Sequence, residues 1–426
     1  IHQEISNVPS MNIAENFFLG HEPKTKLGMV DYKRMHRETR AALDVLGIQI
    51  QTDRLIHGLS IAQQQMLEIG RALTRNARVI IMDEPTSSLS ESETETLFGV
   101  IKKLTAKNIA VVYISHKLDE VMFLSDRITV IRDGKNIVSR DKSEFTQEQL
   151  IASMIGRPLQ HLYQKEPAEI GEAMLEVKNL TRKGVFQDIS FSVRKGEVVG
   201  FFGLVGAGRS EIMRAIFGVD KYQSGEVILD GKKLRGGDPA AAIRAGIGFC
   251  TEDRKKEGLA LKLSILLNMT LVRLPLLSKL GVINRANQRA AADEYMESIS
   301  IKAPSVRQLV GNLSGGNQQK VVVAKWLMMH PKVLIVDEPT RGIDVGSKSE
   351  IYGLLSDLAK QGMAIIVVSS EIEEIMGVCD SVVTISEGKK TAQLTINDQL
   401  TREQVLSCAL GSKPDWAQSG KDGEAQ

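Results

Sequence analysis

The stretch EVVGFFGLVGAGRSEIMRAIF, residues 197–217, decides the fold. The apolar run at 197–202 predicts a buried strand, and the pattern that ends at Phe217 predicts a helix. Between them stands G-x-x-x-x-G-R-S, whose glycines let successive backbone N–H groups curl round phosphate oxygens at the positive end of the helix. We therefore predict a phosphate-binding loop made of Gly203, Leu204, Val205, Gly206, Ala207, Gly208, Arg209 and Ser210.

Two side chains of this loop carry specific chemistry. We expect Ser210 to offer its hydroxyl to Mg²⁺, with Asp337 supplying a carboxylate from a neighbouring strand. Arg209 stands where this pattern usually has lysine, and its planar fork differs from the compact charge of lysine, so we expect phosphate binding with altered geometry. The alternative is a glycine-rich turn that only permits close packing. The pair Asp337-Glu338 at the end of a predicted strand argues against it.

The chain contains an internal repeat with a single offset. A shift of 254 residues takes Leu59-Ser60 to Leu313-Ser314 and Asp83-Glu84 to Asp337-Glu338. Chance matches would scatter in offset, so the repeat indicates two tandem domains rather than a solenoid of short units. In both units short apolar runs, such as residues 333–336, alternate with helical patterns. That alternation predicts an α/β fold whose parallel sheet is covered by helices on both faces.

Composition and charge exclude several classes of protein. With 426 residues, of which 42% are apolar and 25% charged, the chain has the composition of a folded globular protein rather than a disordered or fibrous one. The 54 basic and 52 acidic residues favour neither nucleic acid nor an anionic membrane as a partner. The apolar runs fall short of the ~18 residues that span a bilayer. The three widely spaced cysteines fit a reducing compartment and do not suggest zinc.

With these motifs the chain resembles an ATP-binding-cassette (ABC) ATPase. That family has tandem P-loop NTPase domains, each with a RecA-like core and a helical subdomain, and it uses ATP and Mg²⁺. The stretch LSGGNQ at 313–318 resembles the signature motif, and the apolar run ending in Asp337-Glu338 resembles the Walker B strand. The resemblance further implies signature contacts for Ser60, Ser314, Gly315, Gly316 and Asn317, a D-loop at Asp344, a Q-loop glutamine at Gln3 and a switch histidine at His116.

A closer resemblance is to the fused-duplicate ATPase subunits of bacterial monosaccharide importers, which serve ribose, xylose, arabinose or galactose. It rests on TEDRK at 251–255, on the phosphate loop, on LSGGNQQK at 313–320 and on DEPTRGIDVG at 337–346. It implies a peripheral motor on the cytoplasmic face of the bacterial inner membrane, with only indirect membrane contact. The implied partners are an integral-membrane sugar permease, expected as a dimer, and a solute-binding protein, with no nucleic acid. Helical subdomains, expected at 8–57 and 263–310, would meet the permease.

The resemblance also implies two composite ATP sites of unequal competence, each closed by the signature of the other cassette. In the first, Glu84 would polarise water, His116 would hold the γ-phosphate and Asp83 would serve Mg²⁺, beside Gln3. In the second, where Glu338 is kept, we expect nucleotide binding with slow hydrolysis or none. The departures on which this rests are Arg209, Glu252 at the glutamine position, Ser370 at the histidine position, and Ile61-Ala62 in place of two signature glycines.

Several residues have a plainer alternative. His116 taken alone is typical of a hydrogen-bonded polar histidine, and only its place after the strand that follows Asp83-Glu84 favours a catalytic role. Glu252 could be a solvated acid, and Phe186 could stack on adenine, although a core aromatic fits it better. The basic run Arg254-Lys255-Lys256 is either a solvated loop or lies near the nucleotide, and the sequence does not decide which.

The predicted boundaries give a first domain at 1–161, a linker at 162–173, a second domain at 174–411 and a polar tail at 412–426. Only two residues precede Gln3, whereas 78 positions separate Met174 from Glu252. We therefore expect roughly 75 residues of the first unit, including its phosphate loop, to lie outside this chain. On that expectation the chain by itself binds ATP weakly and turns over little.

Two rival functions share the duplicated architecture. A soluble twin-cassette protein that acts on ribosomes would carry two competent sites and a longer charged linker, and neither is visible in the sequence. A DNA-repair or chromosome ATPase would need zinc-binding CxxC modules or long coiled coils within the cassette, and the sequence has neither.

Overall fold

A computed structural model describes residues 1, 7–75, 77–86, 89–115, 117–132, 134–155, 163 and 165–412. The chain divides into two compact units, Ile1–Met154 and Ile155–Gln426, and each is described by itself. Within the described ranges, every helix is too short or too polar to cross a bilayer.

The first unit alternates helices with two pairs of strands. Its described helices are α1 (Ile13–Phe18), α2 (Tyr32–Leu46), α3 (Ile61–Thr74), α4 (Glu91–Ala106), α5 (Leu118–Leu124) and α6 (Gln147–Ile155). Its described strands are β1 (Val79–Asp83), β2 (Ala110–Ile114), β3 (Arg127–Arg132) and β4 (Lys135–Asp141). β1 and β2 pair in parallel, and β3 and β4 form an antiparallel hairpin.

The second unit contains the longer series of elements. Its described strands are β5 (Ala173–Arg182), β6 (Phe186–Arg194), β7 (Val198–Phe202), β8 (Ser224–Leu229), β9 (Lys232–Lys233), β10 (Ile247–Cys250), β11 (Ser278–Lys279), β12 (Val282–Ile283), β13 (Val333–Asp337), β14 (Ala364–Val368), β15 (Ser381–Ser386) and β16 (Lys389–Thr395). Its described helices are α7 (Arg209–Phe217), α8 (Pro239–Ala245), α9 (Ile265–Thr270), α10 (Leu274–Leu277), α11 (Arg285–Ser298), α12 (Gly315–Leu327), α13 (Val345–Lys360), α14 (Ile372–Val378) and α15 (Arg402–Ala409).

The core of the second unit is a six-stranded sheet in the order β10-β13-β14-β7-β15-β16, with β16 antiparallel to the other strands. β7, β13 and β14 bury every residue, because helices α7, α13 and α14 supply apolar side chains to the same hydrophobic core. The carboxyl ends of the parallel strands lie at one edge of the sheet, where ligands bind in open α/β sheets. The α/β prediction is confirmed in this unit.

A second sheet, β6-β5-β8-β9, is antiparallel and packs its apolar face into the same core. Phe186 begins β6 and is buried in that core. The plainer of the two interpretations of Phe186, a core aromatic, is therefore the one the structure supports.

Each of the four described strands of the first unit has a counterpart in the second unit. A shift of 254 residues carries β1, β2, β3 and β4 onto β13, β14, β15 and β16 with the same starting and ending positions. In the second unit β7 lies between β14 and β15 and joins them. Among the described residues of the first unit no strand joins β2 to β3, so the two pairs remain separate sheets.

That difference changes which side chains of the first unit are buried. Val79 and Ile81 of β1 are 56% and 54% exposed, and Val112 and Ile114 of β2 also face outward. The prediction of a sheet covered on both faces is therefore wrong for the described part of the first unit. Its strands alternate in burial because one face packs on α4 and the other meets solvent.

Each helical subdomain begins with one buried asparagine that organises a loop. Asn16 of α1 accepts a hydrogen bond from the backbone N–H of Val8 at 2.8 Å and donates to the carbonyls of Val8 and Asn12. Asn268 of α9 accepts from the backbone N–H of Ala260 and donates to the carbonyls of Ala260 and Ser264. Since both amides are satisfied and 2% exposed, they hold the entry to each helical region in one geometry.

The described residues of the predicted linker lie against the second unit. Lys165 pairs with Asp380, and Glu166 receives a hydrogen bond from Lys360. The backbone N–H of Gly171 donates to the carbonyl of Lys195 at 2.9 Å. These contacts attach residues 165–171 to the compact unit that follows them.

Candidate functional site

The predicted phosphate loop joins the end of β7 to the start of α7. Gly203 is required by packing, because a Cβ there would lie 2.3 Å from the carbonyl oxygen of Ile385. Gly208 has φ +96°, a left-handed conformation that favours glycine, and it caps α7 without a side chain. The first amides of α7 therefore have no side-chain cap and are available to an anion. Leu204 and Val205 are exposed and apolar, so the polar groups that the loop presents to a ligand at these positions are those of its backbone.

Asp337 ends β13 beside this loop. The nearby hydroxyl of Ser210 lowers the pKa of its carboxyl, while Oδ1 is buried with no hydrogen-bond partner among the described residues. Burial raises the pKa of Asp337 to about 7, and the nearby charge of Glu338 adds to that shift. A buried carboxylate oxygen without a donor, next to a serine hydroxyl, is the kind of oxygen pair that a hard divalent cation binds.

Glu338 is held between two partners in the same unit. Arg209 lies 3.4 Å from its Oε1 through Nη2 and donates through Nη1 to the carbonyl of Ser369. Ser370 donates its hydroxyl to Oε2 of Glu338 at 3.2 Å. Burial raises the pKa of Glu338, and the charge of Arg209 opposes that shift. The guanidinium is therefore committed to a carboxylate and a carbonyl, a contact that the sequence pattern did not reveal.

The corresponding carboxylates of the first unit have the same backbone. Glu84 has φ +45° and Glu338 has φ +47°, both in the left-handed region. The N–H of Glu84 donates to the carbonyl of Ile114 at 2.9 Å, as that of Glu338 donates to Val368 at 2.8 Å. Asp83, like Asp337, is the last residue of its strand. Gln3 and His116 lie outside the described residues, so their predicted roles remain predictions.

The two helices that follow the Leu-Ser motifs begin differently. Ser60 accepts from the N–H of Gln63, and Gln63 accepts from the N–H of Ser60, so the start of α3 is closed by its own side chains. At α12 the side chain of Ser314 makes no such cap and accepts a hydrogen bond from Asn317 at 2.9 Å instead. The first amides of α12 are therefore free of side-chain acceptors, which suits an anion.

The signature glycines are also demanded by neighbours within the second unit. A Cβ on Gly316 would lie 2.2 Å from Oγ of Ser347, and Ser347 in turn hydrogen-bonds Asp344. Asp344 caps α13 by accepting from the N–H of Ser347 at 2.9 Å. The carboxylate of Asp344 is thus used by its own helix, and α12 packs closely on the start of α13.

Two residues of the stretch 252–256 have long-range contacts in the structure. Glu252 pairs with Arg341, and both side chains are exposed. Arg254 donates to the carbonyls of Arg341 and Gly342 at 2.5 and 2.9 Å. The side chains of Lys255 and Lys256 are exposed. Arg254 and Arg341 are residues whose contacts the sequence analysis missed, and the only signal was the basic run itself.

Comparisons with known proteins agree on a family. The family model described as "ABC transporter" matches residues 1–87 and 186–341. The ribose import ATP-binding protein of Rhodococcus jostii is 46% identical over 413 residues, which are 97% of this chain and 82% of that protein. The ribose import ATP-binding protein of Bacillus licheniformis is also 46% identical over 413 residues, 97% of this chain and 84% of that protein. A putative ribose/galactose/methyl galactoside import ATP-binding protein of Geobacillus kaustophilus is 45% identical over 412 residues, 96% of this chain and 82% of that protein.

Proposed function

The chain belongs to the ABC transporter family, and we propose that it is the ATP-hydrolysing motor of a bacterial importer for a monosaccharide or a related small polyol. The observation that carries this proposal is the 46% identity, over 97% of the chain, to proteins named for ribose import. Nearly the whole chain takes part in that match, so both units share in the proposed function.

ATP binding in the second unit is supported by the phosphate loop. The backbone of residues 203–210 and the uncapped start of α7 present donors for phosphate oxygens. We propose that Ser210 and Asp337 hold Mg²⁺, since Oδ1 of Asp337 is a buried acceptor without a partner in the described structure. Bound Mg²⁺ would neutralise charge on the phosphates, and the chain's own residues would position them.

We propose that the second unit's site binds nucleotide without rapid hydrolysis. Glu338 is the candidate base of this site, but its carboxylate already accepts hydrogen bonds from Arg209 and Ser370. Both oxygens of this carboxylate are already contacted, Oε1 by Arg209 and Oε2 by Ser370, so an attacking water would have to displace one of these partners to reach it. The competent set would then be Gln3, Asp83, Glu84 and His116, with Ser314, Gly315 and Gly316 supplying the closing signature.

The proposed partners follow from the same family relation. A sugar permease in the membrane, taken as a dimer, would bind the helical subdomains, and a solute-binding protein would deliver the sugar to that permease. The motor would then lie on the cytoplasmic face of the inner membrane and touch the bilayer only through the permease. ATP binding would draw the two cassettes together and hydrolysis would release them.

Uptake of radiolabelled ribose, xylose, arabinose and galactose in a strain deleted for this gene tests the proposal. We expect uptake of one of these sugars to fall and a plasmid copy to restore it. Affinity purification of the tagged protein tests the partner, with a membrane permease expected in the eluate. Normal uptake of every sugar in the deletion strain, together with recovery of ribosomes or DNA, would contradict the transport function and favour a soluble twin-cassette role.

A further inference from the structure

The turn after β10 contains a single guanidinium that reaches two other parts of the second unit. Residues Arg254–Gly258 form one turn of π-helix, a rare conformation that is often found at functional sites. Both terminal nitrogens of Arg254 donate to consecutive carbonyls, those of Arg341 and Gly342. Two hydrogen bonds from one planar fork fix both the position and the orientation of the turn that carries these carbonyls.

The same guanidinium occupies space that a glycine leaves open. A Cβ on Gly315, the first residue of α12, would lie 2.9 Å from Nη2 of Arg254 and 2.9 Å from the carbonyl oxygen of Gly342. The repeat places Ile61 at the corresponding position of α3, and its side chain is about half exposed. A side chain at position 315 could not coexist with this arrangement, so Gly315 and Arg254 fit each other as a pair.

The turn itself is anchored at both ends. Asp253 accepts from the N–H groups of Lys255 and Lys256 at 3.1 Å and so caps the π-helical turn. The buried ammonium of Lys325, on α12, donates to the carbonyl of Gly258 at 2.7 Å. Since its backbone is held before and after Arg254, the guanidinium has little freedom to leave its two acceptors.

An ion pair between Glu252 and Arg341 lies near the edge of the sheet where β13 ends at Asp337. We call this the nucleotide edge, because it is where we propose that ATP binds. β10 pairs in parallel with β13, and Cys250 at its end lies opposite Val336, next to Asp337. Glu252 therefore leaves the sheet at the edge where Asp337 lies, and it pairs with Arg341. The Arg341–Gly342 turn is thus contacted twice, by Arg254 at its two carbonyls and by Glu252 at the side chain of Arg341.

We propose that Arg254 is a positioning residue that couples the nucleotide edge of the second unit to the start of α12. It holds the Arg341–Gly342 turn against Gly315, so that a shift of Glu252 on nucleotide binding moves the first amides of α12. This inference rests on the proposed function, because those amides are taken to meet the phosphate of an ATP.

Amide hydrogen exchange on the full chain tests the proposal, with Arg254→Met and Arg254→Lys as variants. We expect about tenfold faster exchange in peptides covering 341–347 and 313–318 in Arg254→Met, because two hydrogen bonds from a charged donor are lost. Arg254→Lys keeps the charge without the fork, so we expect most of the same increase. Lys255→Met removes a neighbouring exposed charge and should leave both peptides at the native rate.

Exchange with and without MgATP separates coupling from local packing. In the native chain we expect MgATP to slow exchange at 203–210 and also at 341–347 and 313–318. In Arg254→Met we expect protection at 203–210 only. Unchanged exchange in both Arg254 variants, an equal rise in Lys255→Met, or no effect of MgATP on 341–347 in the native chain would each overturn the proposal. The inference depends on ATP binding and not on the sugar transported, so failed sugar uptake would count against the transport proposal while these exchange rates test the coupling separately.

Discussion

Two helix starts that occupy the same position of the repeat show how the units have diverged. At α3 Ser60 and Gln63 satisfy the first amides, whereas at α12 Ser314 leaves them free and Asn317 turns to the serine hydroxyl. The strands around them keep matching bounds in both units. Backbone architecture therefore survives duplication while a few side chains at helix starts and strand ends decide which surface can hold an anion.

The buried glutamates after β2 and β14 show the same divergence in electrostatics. Glu120 accepts hydrogen bonds from Thr86 and Tyr113 and pairs with Lys117 at 3.1 Å. Burial raises its pKa, but these partners outweigh burial and the pKa of Glu120 is lowered. At the equivalent of Lys117 the second unit has Glu371. Burial and that added negative charge raise the pKa of Glu374 to about 7, although Ser369 hydrogen-bonds it.

The largest expected effect concerns the two Walker-type glutamates. We expect Glu84→Gln in the full-length protein to reduce single-turnover ATP hydrolysis by about a hundredfold or more, because a general base is lost. Glu338→Gln should change it by less than about threefold, since Glu338 is already engaged by Arg209 and Ser370. Rapid-quench measurement of released phosphate checks both. Loss of most turnover in Glu338→Gln alone would reverse the assignment of the sites.

The next prediction concerns how the stabilities of the Glu374 and Glu120 variants depend on pH. Below pH 4.5 Glu374 is protonated in both states, and as the pH rises to about 7 only the unfolded state ionises, so the free energy of unfolding falls. A glutamine at position 374 cannot titrate. The free energy of unfolding of Glu374→Gln, compared with that of the native chain, should therefore rise between pH 5 and 8 by as much as about 3 kcal/mol.

Glu120→Gln provides the matched control. The lowered pKa of Glu120 means that its stabilising charge is present above pH 4.5 and is lost only as the pH falls through the folded value. The cost of Glu120→Gln should therefore stay constant from pH 5 to 8. Calorimetric unfolding of both variants over this range is the measurement, and parallel pH profiles would show that the two glutamates share one environment.

A smaller effect is expected at the second signature glycine. Gly316→Ala should destabilise by about 1–3 kcal/mol, because its Cβ would lie 2.2 Å from Oγ of Ser347. Adding Ser347→Gly should recover part of the loss, with Ser347→Gly alone as the reference. Ala62→Gly at the matching position of α3 should cost only the helical penalty of about 0.5–1 kcal/mol. Urea unfolding compares the four variants, and equal costs at both positions would argue against the tight contact.

The smallest effect should appear at the helix caps. Ser60→Ala removes the hydroxyl half of a capping box, the acceptor for the N–H of Gln63, and should destabilise by about 1 kcal/mol. Ser314→Ala removes no cap, so we expect less than about 0.5 kcal/mol. Thermal unfolding of the two variants measures the difference. If Ser314→Ala proved the costlier change, the start of α12 would be capped in solution in a way that the structure does not show.

Local pattern was enough to find the phosphate loop, the strand ending in Asp337 and the repeat. Each is recognised from residues close together in the chain, such as the glycines at 203–208, whose spacing reflects backbone conformation. The contacts of Arg254 could not be found this way, since its acceptor in Arg341 is 87 positions away. The opposite pKa shifts of Glu120 and Glu374 likewise depend on burial and on neighbours that only the folded chain brings together.

The sequence by itself determined the duplicated α/β architecture, the place of the phosphate loop and the carboxylates at the strand ends, because these depend on short-range periodicity and on glycine's conformational freedom. Only the tertiary structure decided that Arg209 engages Glu338 and that Arg254 fills the space beside Gly315. Those features depend on which side chains and strands meet after folding, and packing across distant segments decides that.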